Sequence, residues 1–416
     1  MFILTLNCWS YSVRYHLFDW RRRVLLARGQ VDRVAVGGTT LTHNVPGRPT
    51  YVGRNECADH QAALALILDT LSDPLHGVLQ EGDRLGAISH RVAHGGDRFS
   101  CSARIDSDVL AAIKDLRRLA PLHNEPNIAG IEAAISLLPD VPQVAVFDTA
   151  FHQSLAPAAF IYPLPYEWYE KHRVRRYGFH GPSHLYMSKR AAVRLEKKPG
   201  ECNLITIHVD RGVSLCAIRQ GLSVDTSMGM TPLEGAIMGT RCGDIDAGIL
   251  PYIMTRGGYS PREMDSILNL ECGLRGITGR FSERGDVLAA VVDGDERCQL
   301  ALAMETYRLR KYIGAYMSAL GGVDAIVFTS GAGDLEWISR ERILRDMEFF
   351  GVHLDVQRNR SAVAMPGEVT ITRDDSPVQV FVVPANEERV FAEDAAAILG
   401  GTYADHMTYP YSFTRP

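Results

Sequence analysis

"NLITIHVDRGVSLCAIRQG", residues 203–221, contains two short apolar runs on either side of a polar turn. The apolar pattern predicts two β-strands, and residues 208–212 predict the tight turn that joins them. A hairpin of this kind commonly holds phosphate with its backbone N–H groups, a use that favours small residues in the turn. This turn instead contains Asp210 and Arg211. The sequence therefore raises the question of which phosphate the turn holds.

A similar hairpin opens the chain. "FILTLNCWSYSVRYHLFD", residues 2–19, matches the first hairpin when Thr5 is placed on Thr206 and Asn7 on His208, an offset of 206 − 5 = 201 residues. Two strand–turn–strand units, each beginning one half of the chain, predict an internally duplicated fold with a phosphate clamp in each domain. The alternative is a chance similarity between two β-hairpins.

Length and composition limit the classes of protein to which this chain can belong. The 416 residues are too many for one compact core, and 46% apolar with 22% charged residues is typical of a soluble globular protein. A net charge of −5 without a long basic block argues against nucleic acid as a partner. Eight scattered cysteines without a CxxC pair indicate reduced thiols in the cytoplasm. The apolar run at the start is too short for a signal peptide, and no stretch approaches the ~20 apolar residues of a membrane span.

Periodicity predicts alternating helices and strands, hence mixed sheets covered by helices. The predicted helices are residues 59–71, 108–119, 182–195, 297–320 and 387–399. The predicted strands are residues 87–92, 143–147, 325–329 and 378–384. We place the N-terminal domain at residues 1–150 with 385–416, and the second domain at residues 151–384. The aperiodic tail from residue 401 is predicted to be loose.

Four stretches concentrate glycine and polar residues where strands are predicted to end, the usual place for catalytic groups in α/β folds. They are "SHRVAHGGDRFS", "APLHNEPNIAG", "AVFDTAFHQS" with "RRYGFHGPSH", and "SVDTSMGMTPLEGAIMGTRCGDIDAG". For a single residue such as His123 or Arg241 the alternative is a structural hydrogen-bond donor. Taken together, and in their order along the chain, the four stretches are more informative than any one of them.

In this order, and over nearly the whole chain, these motifs resemble the acetate kinase family, acetokinases of the sugar kinase/Hsp70/actin superfamily. The most specific match is "VDTSMGMTPLEGAIMGTRCGDID", and "RKYIGAYMSAL", "VDAIVFTSGAGD" and "PANEERVFAED" add to it. The resemblance implies a duplicated ribonuclease H-like α/β fold of two domains, an active cleft between them and a homodimer. It also implies reversible phosphoryl transfer between ATP and acetate, which makes acetyl phosphate.

The same resemblance assigns catalytic roles. Arg91 binds the substrate carboxylate, Arg241 and His180 neutralise the transferring phosphoryl group, and His123 adds a donor. Because a carboxylate acceptor is already ionised at pH 7, the reaction needs no strong base. We therefore interpret Asp148 as a carboxylate that orients a metal ion and an arginine; the alternative is a loop cap.

By the same match, Asn7, Asp148 and Glu387 orient Mg²⁺ (or Mn²⁺), largely through water. The acyl pocket consists of Ala93, Leu122, Phe179 and Pro232. Acetate-specific members usually have valine where this chain has Ala93, so the pocket is expected to admit propionate as well as acetate. The alternative is that a neighbouring side chain fills the space.

The donor side departs from the family pattern. The resemblance assigns ATP/ADP to Ser10, Ser12, Arg14, His208, Asp210, Arg211, Gly212, Glu283, Arg284, Gly331, Gly333 and Asp334. Trp9 and Tyr11 replace small residues of the first turn, and Gly285 replaces the arginine that borders adenine. We expect ATP to bind more weakly than in ordinary acetokinases. Two alternatives are a donor such as inorganic pyrophosphate, and a catalytically weak regulatory paralogue.

Overall fold

A computed structural model describes residues 1–330, 333–363, 365 and 367–415, and divides the chain into two compact units. Unit 1 comprises Met1–Phe151 and Asn386–Ser412, and unit 2 comprises His152–Ala385 together with residues 413–415. The predicted boundaries at 150 and 385 lie one residue from these divisions. Residues 413–415 belong to unit 2 because Arg190 donates to the carbonyl oxygens of Phe413 and Arg415, at 2.7 and 3.0 Å.

Unit 1 is built on an eight-stranded sheet with the order β5-β4-β3-β2-β1-β6-β8-β7. Its strands are β1 (Phe2–Trp9), β2 (Ser12–Asp19), β3 (Val24–Asp32), β4 (Thr39–Asn44), β5 (Tyr51–Asn55), β6 (Leu85–Val92), β7 (Ala103–Arg104) and β8 (Gln143–Phe147). Helices α1 (His60–Leu71), α2 (Ser107–Leu116) and α3 (Pro121–Leu137) belong to this unit, as does the C-terminal helix Glu387–Leu399.

The described residues of unit 2 form a six-stranded sheet with the order β11-β10-β9-β12-β14-β13. These strands are β9 (Asn203–Val209), β10 (Val213–Arg219), β11 (Leu222–Thr226), β12 (Ala325–Ser330), β13 (Val369–Thr370) and β14 (Gln379–Pro384). The helices are α4 (Pro157–Phe160), α5 (Tyr166–His172), α6 (Gly181–Arg194), α7 (Ile249–Gly257), α8 (Pro261–Leu270), α9 (Gly273–Thr278), α10 (Arg284–Val292), α11 (Glu296–Leu320), α12 (Glu336–Leu344) and α13 (Val356–Ser361), and the C-terminal helix of unit 1 is α14.

Both sheets contain the same five-stranded core. Three antiparallel strands are followed by two parallel ones, β3-β2-β1-β6-β8 in unit 1 and β11-β10-β9-β12-β14 in unit 2. The two predicted hairpins occupy equivalent places, since β1 pairs with β2 as β9 pairs with β10. This topology confirms the predicted duplicated α/β fold with mixed sheets covered by helices.

Alternation along the strands explains why helices cover both faces of the unit 1 sheet. Leu4 and Leu6 point to a buried cluster that includes residues of α1 and α3. Ile3 points to the opposite face, where it joins Phe391 and Ala395 of α14. Each face therefore buries its own apolar set, which specifies the register of β1.

Two sequence-based predictions are wrong. The stretch around His123 is not a strand end; it begins helix α3, with Pro121 at the first helical position and Pro126 inside the helix. The helix tolerates Pro126 because buried side chains on either side of it are tied to the rest of the unit: Asn124 accepts from the N–H of His94 at 2.9 Å, and Asn127 from that of Ala93 at 2.9 Å. The tail is ordered rather than loose, since the buried Tyr411 hydroxyl donates to Asp394 at 2.7 Å.

No helix within the described ranges is long and apolar enough to cross a membrane. All eight cysteines are free.

Candidate functional site

Adjacent parallel strands of unit 1 hold an arginine–carboxylate pair. Arg91 lies near the end of β6, and Asp148 directly follows β8 and donates its own backbone N–H to the carbonyl of Val92 at 3.0 Å. The guanidinium donates to both carboxylate oxygens, at 2.8 Å from Nε and 2.6 Å from Nη2. Burial lowers the pKa of Arg91, but the charges of Asp148 and Glu387 outweigh this effect and raise it. Arg91 is therefore a permanent, oriented cation.

The predicted metal residues lie in the same unit. Glu387, the first residue of α14, places Oε1 4.0 Å from Arg91 Nη1. Asn7 lies in β1, beside β6, and its buried Nδ2 has no hydrogen-bond partner within the described residues. Two carboxylates and an amide form the hard-oxygen set that suits Mg²⁺.

The arrangement favours an ion held mainly through its own water. Both oxygens of Asp148 already accept hydrogen bonds from Arg91. In the part of the chain that the structure describes, no group of three or more His, Cys, Asp or Glu residues could hold a metal ion directly. Mg²⁺ commonly keeps several waters and uses only one or two carboxylates, so the residues present fit it.

The predicted acyl residues of unit 1 lie at the end of β6 and at the start of α3. Ala93 is buried, and its backbone N–H donates to Asn127 Oδ1 at 2.9 Å. The side-chain N–H of Asn127 in turn donates to the carbonyl of Cys8 at 2.8 Å. Leu122 is 47% exposed and His123 is half-buried in the first turn of α3.

Three predicted residues of unit 2 meet at the turn between β9 and β10. A β-carbon on Gly212 would lie 2.9 Å from Arg241 Nη2 and 3.2 Å from His180 Nε2. A side chain at this position would therefore displace one of these two groups. The absence of a side chain lets two hydrogen-bonding groups, one of them permanently charged, reach the backbone of the turn.

Backbone geometry and hydrogen bonds fix both groups. His180 directly precedes α6 with φ of 58°, in the left-handed region, and its Nδ1 lies 2.8 Å from Ser214 Oγ. Arg241 donates through Nη1 to the carbonyl of Pro232 at 2.6 Å. Phe179, the predicted acyl residue before His180, is buried, and its carbonyl lies 3.0 Å from His152 Nε2.

His208 belongs to the same group of residues. Its ring centroid lies 4.1 Å from that of His180, and its Nδ1 lies 2.7 Å from Ser183 Oγ. Unit 2 therefore brings Phe179, His180, His208, Gly212, Pro232 and Arg241 together, whereas these residues are far apart in the sequence.

A cavity of about 290 Å³ opens beside the same turn. Its lining includes Asp210, Arg211, Gly239, Glu283, Arg284 and Gly285. Arg211 is exposed, and its Nε lies 3.3 Å from Glu283 Oε1. Asp210 is exposed as well, and its N–H donates to the carbonyl of Gly212 at 3.0 Å. The cavity thus brings four of the predicted donor residues together: Asp210, Arg211, Glu283 and Arg284.

Arg284 is at the inner end of this cavity, with its charge already paired. Its guanidinium donates to both oxygens of Glu305, at 2.6 and 2.7 Å, and Glu336 lies 3.9 Å away. Burial raises the pKa of Glu305 to about 7, against the effect of the arginine. Sequence reasoning missed Glu305, because no local signal links residues on α10 and α11.

The other predicted donor residues are distributed over both units. In unit 1, Ser10 is exposed, Ser12 is half-buried, and the guanidinium carbon of Arg14 lies 5.1 Å from the Trp9 ring centroid. In unit 2, Gly333 and Asp334 are exposed just before α12. Gly331 lies outside the described residues.

Known proteins resemble this chain over nearly its whole length. The model of the acetokinase family matches residues 2–393. The chain is 57% identical to the acetate kinase of Geobacter metallireducens over 415 residues, which cover 100% of this chain and 99% of the relative.

Solved structures give the same result. The acetate kinase of Porphyromonas gingivalis superposes with a TM-score of 0.89 at 39% identity, covering 96% of this chain and 99% of that one. A propionate kinase from Francisella tularensis gives 0.88 at 35% identity, covering 95% and 99%. The chain therefore belongs to the acetokinase family.

Proposed function

We propose that the protein reversibly transfers the γ-phosphoryl group of ATP to the carboxylate of acetate by direct in-line transfer that requires Mg²⁺. The observation that carries the proposal is the convergence of Arg241 Nη2 and His180 Nε2 on Gly212. Phosphoryl transfer depends on positioning and on positive groups around the equatorial oxygens, and these two groups have that character.

Arg241 and His180 act on the transferring group. The phosphoryl oxygens accept hydrogen bonds from both side chains, and the hydrogen bond from Arg241 to the Pro232 carbonyl holds the guanidinium in place before the substrate arrives. One preorganised donor of this kind is worth about 2.7–4 kcal/mol of transition-state stabilisation. His208 packs against His180 and limits the movement of its ring.

Arg91 binds the acceptor carboxylate, and Asp148 positions Arg91. The bidentate pair uses the Nε and Nη2 edge of the guanidinium and so fixes its plane. Asp148 does not act as a base, because acetate has no proton to lose at pH 7. His123 adds a donor from the first turn of α3.

Asn7, Asp148 and Glu387 would hold Mg²⁺ through its water molecules. When bound there, the ion would neutralise phosphate charge and help to align donor and acceptor. In this assignment Asn7 would turn its Oδ1 toward the water of the ion, and its buried Nδ2, which lacks a partner within the described residues, would be a donor for a phosphate oxygen.

ATP is the proposed donor, and the cavity beside Arg211 and Glu283 is its proposed site. Since Arg211 pairs with an exposed carboxylate, it contributes to the wall of the site and is not the main phosphate ligand. The phosphate groups of ATP are proposed to lie at the turn of unit 2, near His208 and Gly212. Family membership favours ATP over pyrophosphate.

Trapping the acyl phosphate as a hydroxamate tests the donor directly. The enzyme, Mg²⁺ and acetate are incubated with ATP, GTP or pyrophosphate, and the hydroxamate is measured. We expect ATP to give the highest rate, and Arg211→Asn to raise the KM for ATP by no more than about threefold, as for an exposed ion pair. If the enzyme instead used pyrophosphate and lost this activity in Arg211→Asn, Arg211 would be a phosphate ligand and pyrophosphate would be the donor.

The proposal extends to acyl range, assembly and location. Ala93 favours a pocket that accepts propionate as well as acetate. The family resemblance supports a homodimer, which sedimentation velocity can test. Eight free cysteines suit a reducing compartment, so we place the enzyme in the cytoplasm.

A further inference from the structure

A chain of buried side chains leads from His180 into the core of unit 2. His180 Nδ1 lies 2.8 Å from Ser214 Oγ, which lies 2.8 Å from His184 Nε2. His184 Nδ1 lies 2.7 Å from Thr206 Oγ1. His184, Ser214 and Thr206 are all fully buried. Sequence reasoning did not single out this chain, although the four-residue spacing of His180 and His184 across the start of a predicted helix was a usable signal.

The partners of His184 differ from those of its neighbour His152. His152 Nε2 lies 3.0 Å from the carbonyl of Phe179, which can only accept, so His152 carries its proton on Nε2. Both ring nitrogens of His184 instead face hydroxyl groups, and a hydroxyl can donate or accept. The direction of the hydrogen bonds along the chain is therefore set at its ends.

His184 is neutral, and with a neutral His180 there are two arrangements in which Ser214 donates to one ring and accepts from the other. Burial lowers the pKa of His184 well below its usual value, and the nearby His152 and His208 lower it further. The charged and titratable groups that face the chain are His152, 5.6 Å from His184 between ring centroids, His208, 4.1 Å from His180, and Arg241 beside the turn. A neutral His184 donates one hydrogen bond and accepts the other.

In the first arrangement all hydrogen bonds point toward His180. Thr206 donates to His184 Nδ1, His184 Nε2–H donates to Ser214, and Ser214 donates to His180 Nδ1. Neutral His180 then carries its proton on Nε2, the nitrogen that lies beside Gly212 and Arg241. In the reverse arrangement His180 would carry the proton on Nδ1 and turn a lone pair toward an anion at Nε2, which is repulsive.

We propose that Thr206, His184 and Ser214 are positioning residues that hold His180 in the Nε2–H tautomer, so that it donates to the phosphoryl group. The proposal rests on the proposed function, in which His180 Nε2 contacts the transferring group. It assigns a role in the reaction to three buried residues that contact neither substrate.

The first test is the tautomer itself. Enzyme labelled with ¹⁵N-histidine is studied by NMR at pH 8 with saturating acetyl phosphate, and His180 is assigned by comparison with His180→Gln. We expect a proton on Nε2 and an unprotonated Nδ1. A proton on Nδ1 would overturn the proposal, whatever the variants show.

Kinetics give an independent test. Ser214→Ala should lower kcat roughly 10- to 100-fold, as for other groups that orient a ligating histidine, and change the KM for acetate less than about threefold. His184→Gln should retain more activity, because its amide offers an N–H to Ser214 and a carbonyl to Thr206. Ser223→Ala is the matched control, since it removes a buried hydroxyl from His152 and should leave kcat within about threefold of the wild type.

The results can distinguish failure of this proposal from failure of the proposed function. Wild-type kcat in Ser214→Ala, with the Nε2–H tautomer intact, would show that the chain does not set the tautomer. Full activity in His180→Gln would contradict the proposed function of His180, whereas the NMR result would still report the direction of the chain. If Ser214→Ala does not fold, the tautomer of the wild-type enzyme decides.

Discussion

Units 1 and 2 share a strand order, but the ends of their central strands carry different chemistry. In unit 1, the strand next to the hairpin carries Arg91 one residue before its end, a guanidinium paired with the buried carboxylate Asp148. In unit 2, Arg241 and His180 approach the turn of the hairpin itself, where Arg241 donates to the carbonyl of Pro232 and His180 Nδ1 lies beside Ser214 Oγ. In the proposed function, one sheet core serves a carboxylate acceptor, and its copy serves a phosphoryl group.

The hairpin turns show where the two copies diverge. Two residues separate the paired Trp9 and Ser12, whereas three separate the paired Val209 and Val213. The shorter turn, in unit 1, presents a bulky side chain, since Tyr11 is 60% exposed. The longer turn, in unit 2, ends in Gly212, whose missing side chain allows the close approach of Arg241 and His180. Duplication therefore repeats the position of a turn, and the residues of the turn decide its chemistry.

The largest expected effect is the loss of either arginine. Arg241→Ala and Arg91→Ala should each lower kcat/KM about 10²- to 10³-fold, because each removes a donor that stabilises transition-state charge. Arg91→Ala should also raise the KM for acetate, whereas Arg241→Ala should act mainly on kcat. Steady-state kinetics with the hydroxamate assay measure both.

Folding has to be separated from catalysis in these variants. Arg91→Ala leaves the buried carboxylate of Asp148 without its cation, which destabilises the fold. The unfolding of this variant should therefore be compared with that of the double variant Arg91→Ala/Asp148→Asn, in which the uncompensated charge is absent. Arg98→Ala is the control, since Arg98 forms an exposed pair with Asp115 in the same unit. Near-normal rates in a folded Arg91→Ala or Arg241→Ala variant would contradict the proposed mechanism.

The next largest effect is expected from a substitution at Gly212, the glycine of the unit 2 turn. Gly212→Ala should lower kcat roughly 10- to 100-fold, because its β-carbon would displace Arg241 or His180 from a position needed for transfer. Gly314→Ala is the control: it lies in α11, where an added β-carbon meets nothing within 4 Å. If Gly212→Ala were as active as the control, the close approach at the turn would have no part in the reaction.

The repeated hairpin and the strand–helix alternation could be predicted because both are local patterns. Predicted residues 297–320 correspond to α11, which spans Glu296–Leu320, and residues 143–147 are β8 as predicted. Helix α3 was missed because Pro126 argues locally against a helix, and the hydrogen bonds that compensate come from distant residues. The burial of Arg284 against Glu305 likewise depends on a pairing between two helices, which no spacing in the sequence reveals.

Unit 1 also contains a histidine whose expected role is structural. His90 is buried, and its Nε2 lies 2.7 Å from Gln143 Oε1. Burial lowers its pKa from 6.5 to about 4, so between these values the unfolded chain binds a proton that the folded chain does not. Stability should therefore fall as the pH falls from 6.5 toward 4, by a few kcal/mol at about 1.4 kcal/mol per pKa unit.

His90→Gln removes this titration and keeps an N–H for Gln143. Urea unfolding at pH 8 and pH 5 should show a smaller loss of stability at pH 5 for His90→Gln than for the wild type. The exposed His172→Gln serves as the control and should behave like the wild type. An equal loss in all three proteins would show that His90 binds a proton as readily in the folded chain as in the unfolded chain.

The smallest expected effect concerns the acyl pocket, where a change at one residue of unit 1 should alter the choice of acid. Ala93 is held by its hydrogen bond to Asn127, so Ala93→Val should add two methyl groups without moving the backbone. Because one methylene in such a pocket is worth about 1–3 kcal/mol, the ratio of kcat/KM for propionate to that for acetate should fall about tenfold. The KM for ATP, whose proposed cavity beside Arg211 and Glu283 does not include Ala93, should not change. An unchanged ratio with normal folding would mean that a neighbouring side chain, and not Ala93, bounds the acyl group.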